Sequence, residues 1–307
     1  VKSQAEDSCH INSNRICGKL RILFPAVPSH VTRKMFHEKV VLITGASSGI
    51  GAACALHFAK SSALLSLIGR NTDNLKKIAR HCEEINRKKP LIITADISSN
   101  EDVERIVADT VKHFGRIDVL INNAGMSSMV GTQSKTVAFD RVMATNLRGT
   151  YLVANQAIPY LIKTKGNIVN VSSILSNKPL TIMAPYCMTK TAIDMFTKCA
   201  ALEVGPSGVR VNAVNPGPIK TELFKRSGMS PEETDKMFAI IEATSVLRKV
   251  TKGEDVAELV MFLASDKASC ITGSCYVIDC GLMLGDFYRF CVTKASVSVV
   301  GIRVIGG

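Results

Sequence analysis

The apolar run Val40-Val41-Leu42-Ile43 passes straight into Thr44-Gly45-Ala46-Ser47-Ser48-Gly49-Ile50-Gly51, and a helical pattern continues from Ile50 to about Lys60. Four residues with no polar face predict a strand covered on both sides. That is the mark of a parallel sheet, whose strands need long crossovers. The rest of the chain supplies them. Strands are predicted at residues 63–68, 91–94, 117–121, 167–171, 209–214 and 274–278. Helices are predicted at 71–87, capped by Thr72 or Asp73, and at 100–113, capped by Asn100, then at 139–164, 186–204, 231–241 and 254–264.

This alternation predicts an α/β, single-domain Rossmann-type fold: a doubly wound parallel sheet with helices on both faces and right-handed crossovers. No Pro/Gly/Ser linker divides it, and with 46% hydrophobic residues the chain can bury a large core. The domain is expected over residues 35–285. Residues 1–34 mix Ser, Asn, Cys and basic residues without periodicity and read as an extension, disordered or non-native. Residues 286–307 read as a tail of uncertain structure or an added edge strand.

The net charge of +12 is spread along the chain, with no basic block longer than Arg87-Lys88-Lys89, and Trp is absent. A nucleic-acid partner is therefore not expected, although a basic surface favours an anionic cofactor. Ten cysteines include no CxxC and no Cys/His cluster of zinc spacing, so no metal site is expected and the thiols read as reduced. No run of 18 apolar residues is present, and no membrane span is expected. The cytoplasm is the expected location, with the mitochondrion as the alternative if residues 1–34 act as a transit peptide.

Glycines between the first strand and first helix let the backbone turn tightly and let a pyrophosphate approach. The helix N-terminus then offers free N–H groups. Gly45, Ser47, Ser48, Gly49, Ile50 and Gly51 are the candidate phosphate cradle. The second strand ends in Gly69-Arg70-Asn71. Sites for NAD usually carry an acid there for the ribose hydroxyl. Arg70 in its place suits a 2′-phosphate, so NADP(H) is favoured and NAD(H) is the alternative. Tyr186 and Lys190 stand at i and i+4, on one helix face, with Ser173 upstream. An ammonium beside a phenol favours the phenolate, so the pair is expected to form an acid/base with a lowered tyrosine pKa.

With these motifs in this order, residues 35–281 resemble the short-chain dehydrogenase/reductase family, in its branch of roughly 250-residue chains. The glycine segment has that branch's TGxxxGxG spacing. Asp96 and Ile97, after the third strand, match its adenine contacts, and Asn123, Ala124 and Gly125 match its NNAG stretch along the cofactor. Asn146, Ser173, Tyr186 and Lys190 match its catalytic set. Pro216, Gly217, Ile219 and Thr221 match the segment that holds the nicotinamide. The resemblance implies that Tyr186 exchanges a proton with the substrate oxygen while hydride passes to or from nicotinamide. It implies that Lys190 lowers the Tyr186 pKa and binds ribose, that Ser173 holds the substrate oxygen, and that Asn146 supports a water relay. It also implies a homo-oligomer, tetramer or dimer.

Two departures from the family pattern stand out. Asp279-Cys280-Gly281 has Cys where a glycine is usual, and Leu247-Arg248-Lys249-Val250 lacks a glycine. The residues flanking the expected pocket are mostly apolar: Leu175, Pro179, Leu180, Ile182, Met183, Leu223, Phe224, Met229 and Met237. They fit pocket lining and core equally; as pocket lining they predict an apolar small-molecule carbonyl or alcohol substrate, such as a 3-oxoacyl, steroid-like or xenobiotic ketone. The competing readings are a non-catalytic dinucleotide-binding protein and a non-redox enzyme such as an epimerase. The complete Asn-Ser-Tyr-Lys set weighs against the first and the glycine spacing against the second.

Overall fold

Seven parallel strands form one sheet in the order β3-β2-β1-β4-β5-β6-β7. The computed structural model describes residues 35–127, 131–132, 136–221 and 230–285. The strands are β1 (Val40–Thr44), β2 (Leu64–Gly69), β3 (Leu91–Thr94), β4 (Val119–Asn122), β5 (Asn167–Val171), β6 (Arg210–Pro216) and β7 (Cys275–Ile278). The expectations for residues 1–34 and 286–307, and for Leu223, Phe224 and Met229, lie outside the described residues.

Strand residues alternate between two apolar layers because successive side chains point to opposite faces. Val41, Ile43, Leu65, Leu67 and Val169 join one layer with α1 (Gly49–Lys60), α2 (Thr72–Asn86) and the C-terminal helix Gly253–Ala264. Leu42, Ile68, Leu120 and Ile168 join the other with α3 (Asn100–Phe114), α5 (Thr150–Thr164) and α6 (Ala184–Val204). Helices thus cover both faces, as the alternation predicts. A third, smaller cluster joins Ile174 to Met237, Phe238 and Ile241 of α7 (Pro231–Thr244) and to Leu282; the C-terminal helix is α8.

Strand order reverses between β1 and β4, so the crevice at their C-terminal ends is the natural ligand site of such a sheet. The glycine turn follows β1, and Asn123-Ala124-Gly125 follows β4.

Three local features differ from the sequence prediction. The α2 cap is Asn71, whose Oδ1 accepts from the Asn74 N–H at 2.9 Å, and the α3 cap is Ser99. In each case a residue just before the predicted cap is equally able to accept, and a cap can be read off sequence only to within a residue or two. The long helix predicted at 139–164 is instead α4 (Thr136–Val142), a π-helical segment (Met143–Gly149) and α5. Gly149 explains part of the interruption. A Cβ there would lie 2.6 Å from the Ile97 carbonyl oxygen, so only glycine lets this segment close on the loop after β3. At the C-terminal end, Cys280 adopts a left-handed conformation at φ 56°, the role the usual glycine would fill. The Asp279 carboxylate still closes the turn, accepting from the N–H groups of Gly281 and Met283 at 2.8 Å.

Candidate active site

The glycine turn is built for close backbone approach. Gly45 has φ +68°, and a Cβ there would lie 2.8 Å from Ala124 Cα and from Asn123 Nδ2. Asn123 uses the space that glycine leaves, donating to the carbonyls of Thr44 at 3.0 Å and Gly45 at 3.1 Å. The Thr44 hydroxyl oxygen accepts from the N–H groups of Asn123 and Ala124, both at 3.0 Å. The turns after β1 and β4 are therefore one hydrogen-bonded unit. Helix α2 is capped by Asn71, α3 by Ser99 and α7 by Ser230. By contrast α1 has no side-chain cap from Ser48 and no acid in its first turn. An anion is the chemically matched partner for such an end, so the turn fits a pyrophosphate. Thr221 reaches the same place: its Cγ2 would meet a Gly49 Cβ at 3.2 Å.

Beside the turn, the Ser47 hydroxyl abuts Gly69, and exposed Arg70 pairs with Asp96 at 3.4 Å. Burial works to raise the Asp96 pKa. Hydrogen bonds from Ser98 and the Arg70 charge outweigh it and hold the carboxyl below its ordinary value. Ile97 is buried in the second apolar layer, and Ile219 in the first. Gly217 closes on Asp279 and donates its N–H to the Ile278 carbonyl at 2.9 Å.

The four residues matched to the catalytic set come from three elements. Ser173 follows β5 in an extended conformation; its hydroxyl accepts from the Leu175 N–H at 3.1 Å and is near enough to the Tyr186 phenol to act on its pKa. Tyr186 and Lys190 share one stripe of α6, with Lys190 Nζ 5.5 Å from the Tyr186 ring centroid. The buried Lys190 ammonium donates to the Val171 carbonyl at 2.8 Å, and its own carbonyl accepts from Ser172 Oγ at 3.1 Å. Asn146 lies in the π-helical segment, where its amide clamps the Met126 backbone. Its carbonyl accepts from the Thr150 hydroxyl at 2.7 Å. Asn146 Oδ1 and Lys190 Nζ flank Gly125, 3.5 and 3.8 Å from where a Cβ would stand.

The electrostatics differ from expectation in one respect. Burial pushes the Tyr186 phenol up to about 12, with the Ser173 hydroxyl acting the other way. Burial also lowers Lys190 to about 8, partly offset by Asp194. The sequence suggested a lowered tyrosine pKa, but Lys190 is buried on the Val171 carbonyl and Tyr186 is half-buried, and loss of water is the largest influence on the phenol. In the free protein Tyr186 is a protonated donor.

Of the two readings for Met237, pocket or core, the structure takes the core: it is buried with Ile174, Phe238 and Ile241. Leu175 packs against that cluster, while Pro179 and Ile182 are exposed beside the start of α6. Among the described residues, no three His, Cys, Asp or Glu side chains gather as a metal site, and no helix is long and apolar enough to cross a membrane. Thr44, Asp194 and Asn215 are the site residues that the sequence reading passed over. Asp194 had a signal, an acid four residues beyond Lys190 on the same stripe. Thr44 had one too, as the threonine that opens the TGxxxGxG segment, whereas Asn215 had none.

A seven-stranded doubly wound sheet with a glycine cradle at its switch point and a Ser-Tyr-Lys cluster beside it defines a nucleotide-binding oxidoreductase scaffold. A family model described as enoyl-(acyl carrier protein) reductase matches residues 45–283. Glucose 1-dehydrogenase of Gluconobacter oxydans is 34% identical over 256 residues, 82% of this chain and 95% of the relative. L-xylulose reductase of Caenorhabditis elegans is 35% identical over 250 residues, 80% and 96% of the two chains. The crystal structure of L-sorbose reductase from Gluconobacter frateurii, complexed with NADPH and L-sorbose, has a TM-score of 0.76 at 28% identity, covering 82% of this chain and 98% of its own. A Caenorhabditis elegans short-chain dehydrogenase/reductase of unknown function, crystallised with cofactor, has a TM-score of 0.79 at 29% identity, covering 83% and 99%. The chain belongs to the short-chain dehydrogenase/reductase family, and it is an oxidoreductase acting on CH–OH or carbonyl groups.

Proposed function

We propose that the protein is an NADP(H)-dependent oxidoreductase that moves hydride between nicotinamide and a secondary alcohol or ketone of apolar character. The observation that carries this reading is the meeting of Ser173, Tyr186, Lys190 and Asn146 beside the glycine turn. When bound, the nicotinamide cofactor supplies the hydride. The protein's part is to hold and move the proton. A tyrosine that stays protonated near neutral pH is ready to donate to the oxygen of a carbonyl as negative charge develops there. Ser173, whose hydroxyl acts on the same phenol, holds the same oxygen. In the oxidative direction the phenol must lose its proton, which the Lys190 ammonium and a positively charged oxidised nicotinamide both favour. Asn146 orders the loop after β4 and supports the water relay to Lys190.

The 2′-phosphate of NADP(H) has Arg70 as its partner, with the Ser47 hydroxyl at hand. Arg70 is exposed, and its bond to Asp96 is long at 3.4 Å, so an exchange of partners costs little. The solved relative bound to NADPH is consistent with this preference. The apolar segment before Tyr186 supports an apolar substrate, whereas the relatives named for glucose, xylulose and sorbose make sugars the necessary comparison. Exposed Tyr151, Met188, Met195 and Leu202 on α5 and α6 support the homo-oligomer, which light scattering would detect.

The test is titration of the purified protein with NADPH and NADH, followed by a panel of apolar ketones and ketoses. Tight NADPH binding with ketone turnover is expected. Arg70→Asp should weaken NADPH by about tenfold or more and leave NADH unaffected or improved, as loss of a charge-assisted contact requires. Binding without turnover on any carbonyl would favour the non-catalytic reading, and an unchanged preference in Arg70→Asp would remove Arg70 from cofactor choice.

A further inference from the structure

Behind the Ser173–Tyr186–Lys190 cluster lies a buried polar group that the reaction as described does not use. Asp194 is 9% exposed and stands one turn beyond Lys190, on the stripe that also carries Tyr186. Helical side chains lean toward the N-terminus, so Asp194 leans toward Lys190. Asn215 of β6 donates to Asp194 Oδ2 at 2.7 Å, to Ser176 Oγ at 2.8 Å and to the Ser173 carbonyl at 3.2 Å. One amide thus ties the Ser173 loop to the helix that carries Lys190. Asp194 Oδ1 has no hydrogen-bond partner. Asp194 forms no ion pair with Lys190 within 4.0 Å, but its buried charge stands one helical turn away and favours the protonated form of the enclosed ammonium.

We propose that Asp194 is a positioning residue: its buried carboxylate, oriented by Asn215, is the counter-charge that keeps the enclosed Lys190 ammonium in place against the Val171 carbonyl. The proposal rests on the reading of Lys190 as part of the reacting site. The charged or titratable groups around the pair are few. Tyr186 and Lys198 lie on the same helix, and Cys275 of β7 meets the Asp194 backbone carbonyl at 4.0 Å. The Cys275 thiol is pushed up to about 11, first by burial and then by Asp194, with Lys198 opposing, so it is neutral near pH 7 and does not compete for Lys190. Burial draws Lys190 down to about 8 and Asp194 opposes that fall. Removing the carboxylate therefore lets the ammonium lose its proton at a lower pH.

The test is the pH profile of kcat/KM for Asp194→Asn against the parent, with the full chain and saturating NADPH. The alkaline limb is expected to move down by about one pH unit or more, the usual size of a close opposite charge. A superimposable limb, whatever the change in amplitude, would overturn the proposal, because a packing role scales activity without moving it. If Asp194→Asn does not fold, Asp194→Asn with Lys190→Met decides. Recovery of folding when both charges are gone supports the pairing, and failure of both variants assigns Asp194 to structure alone. Failure of the underlying reading is seen separately, as turnover by Lys190→Met close to that of the parent.

Discussion

Asn146 holds the backbone of Met126 through both halves of its amide: Oδ1 accepts from the Met126 N–H and Nδ2 donates to the Met126 carbonyl, each at 2.8 Å. The pairing copies one rung of a β-ladder using a side chain. It fixes the loop after β4 to the π-helical segment, and with it Gly125 between Asn146 and Lys190. Asn146→Ala leaves both Met126 groups unpaired and should cost about 1–3 kcal/mol. Asn146→Asp keeps the accepting half and should fall between Ala and the parent. Denaturant midpoints of the three proteins check the order, and equal midpoints would show that the clamp is unimportant.

Glycine is required at Gly45 for two separate reasons, a φ of +68° and a Cβ position 2.8 Å from Ala124 Cα. Gly45→Ala should cost about 2–4 kcal/mol from left-handed strain plus overpacking, and should weaken cofactor binding by displacing Asn123. Gly205, at the end of α6 with φ −56° and nothing within 4 Å, is the control. Gly205 precedes Pro206 in a helical conformation that a Cβ makes less favourable, so Gly205→Ala should be mildly destabilising at most, and well short of Gly45→Ala. Thermal unfolding with and without NADPH separates the two effects.

Lys190 makes stability depend on pH with a definite sign. Its pKa is about 8 folded against 10.5 unfolded. Below pH 8 both states are protonated and the cost of enclosing the charge is fully present. Between pH 8 and 10.5 the folded state gives up the proton first, so the unfolded state binds more protons and stability rises with pH. Buried Cys54 and Cys82, pushed to about 12 from 9.0, pull the other way above pH 9 in every variant. The difference in unfolding free energy between parent and Lys190→Met removes that background. It should increase in the parent's favour from pH 8 to pH 10, and a flat difference would contradict the burial of a charged Lys190.

The alternation of strand and helix was legible because each strand is a short apolar run that needs cover on both faces, and turn residues punctuate the runs. The tight turn after β1 was legible for a similar reason: few sequences other than glycine-rich ones let two backbones meet as Gly45 and Ala124 do. Three things were not legible. The π-helical segment around Asn146 leaves no trace in periodicity, and the close approach of Gly149 to Ile97 comes from a distant loop. The bridging role of Thr44 needs the register of β1 against β4, which places its hydroxyl under the Asn123 and Ala124 N–H groups. The Tyr186 pKa was misjudged because an i, i+4 pair reports a charge nearby and says nothing of how much water both groups have lost.

The central claim is that Tyr186 passes the proton that accompanies hydride transfer. Tyr186→Phe removes one oxygen and little else. With the best carbonyl substrate from the panel and saturating NADPH, its single-turnover rate should fall by about 100-fold or more, the lower range for loss of a positioned acid, while the NADPH dissociation constant changes by no more than a few-fold. A single-turnover rate within a few-fold of the parent, at equal NADPH affinity, would contradict the account.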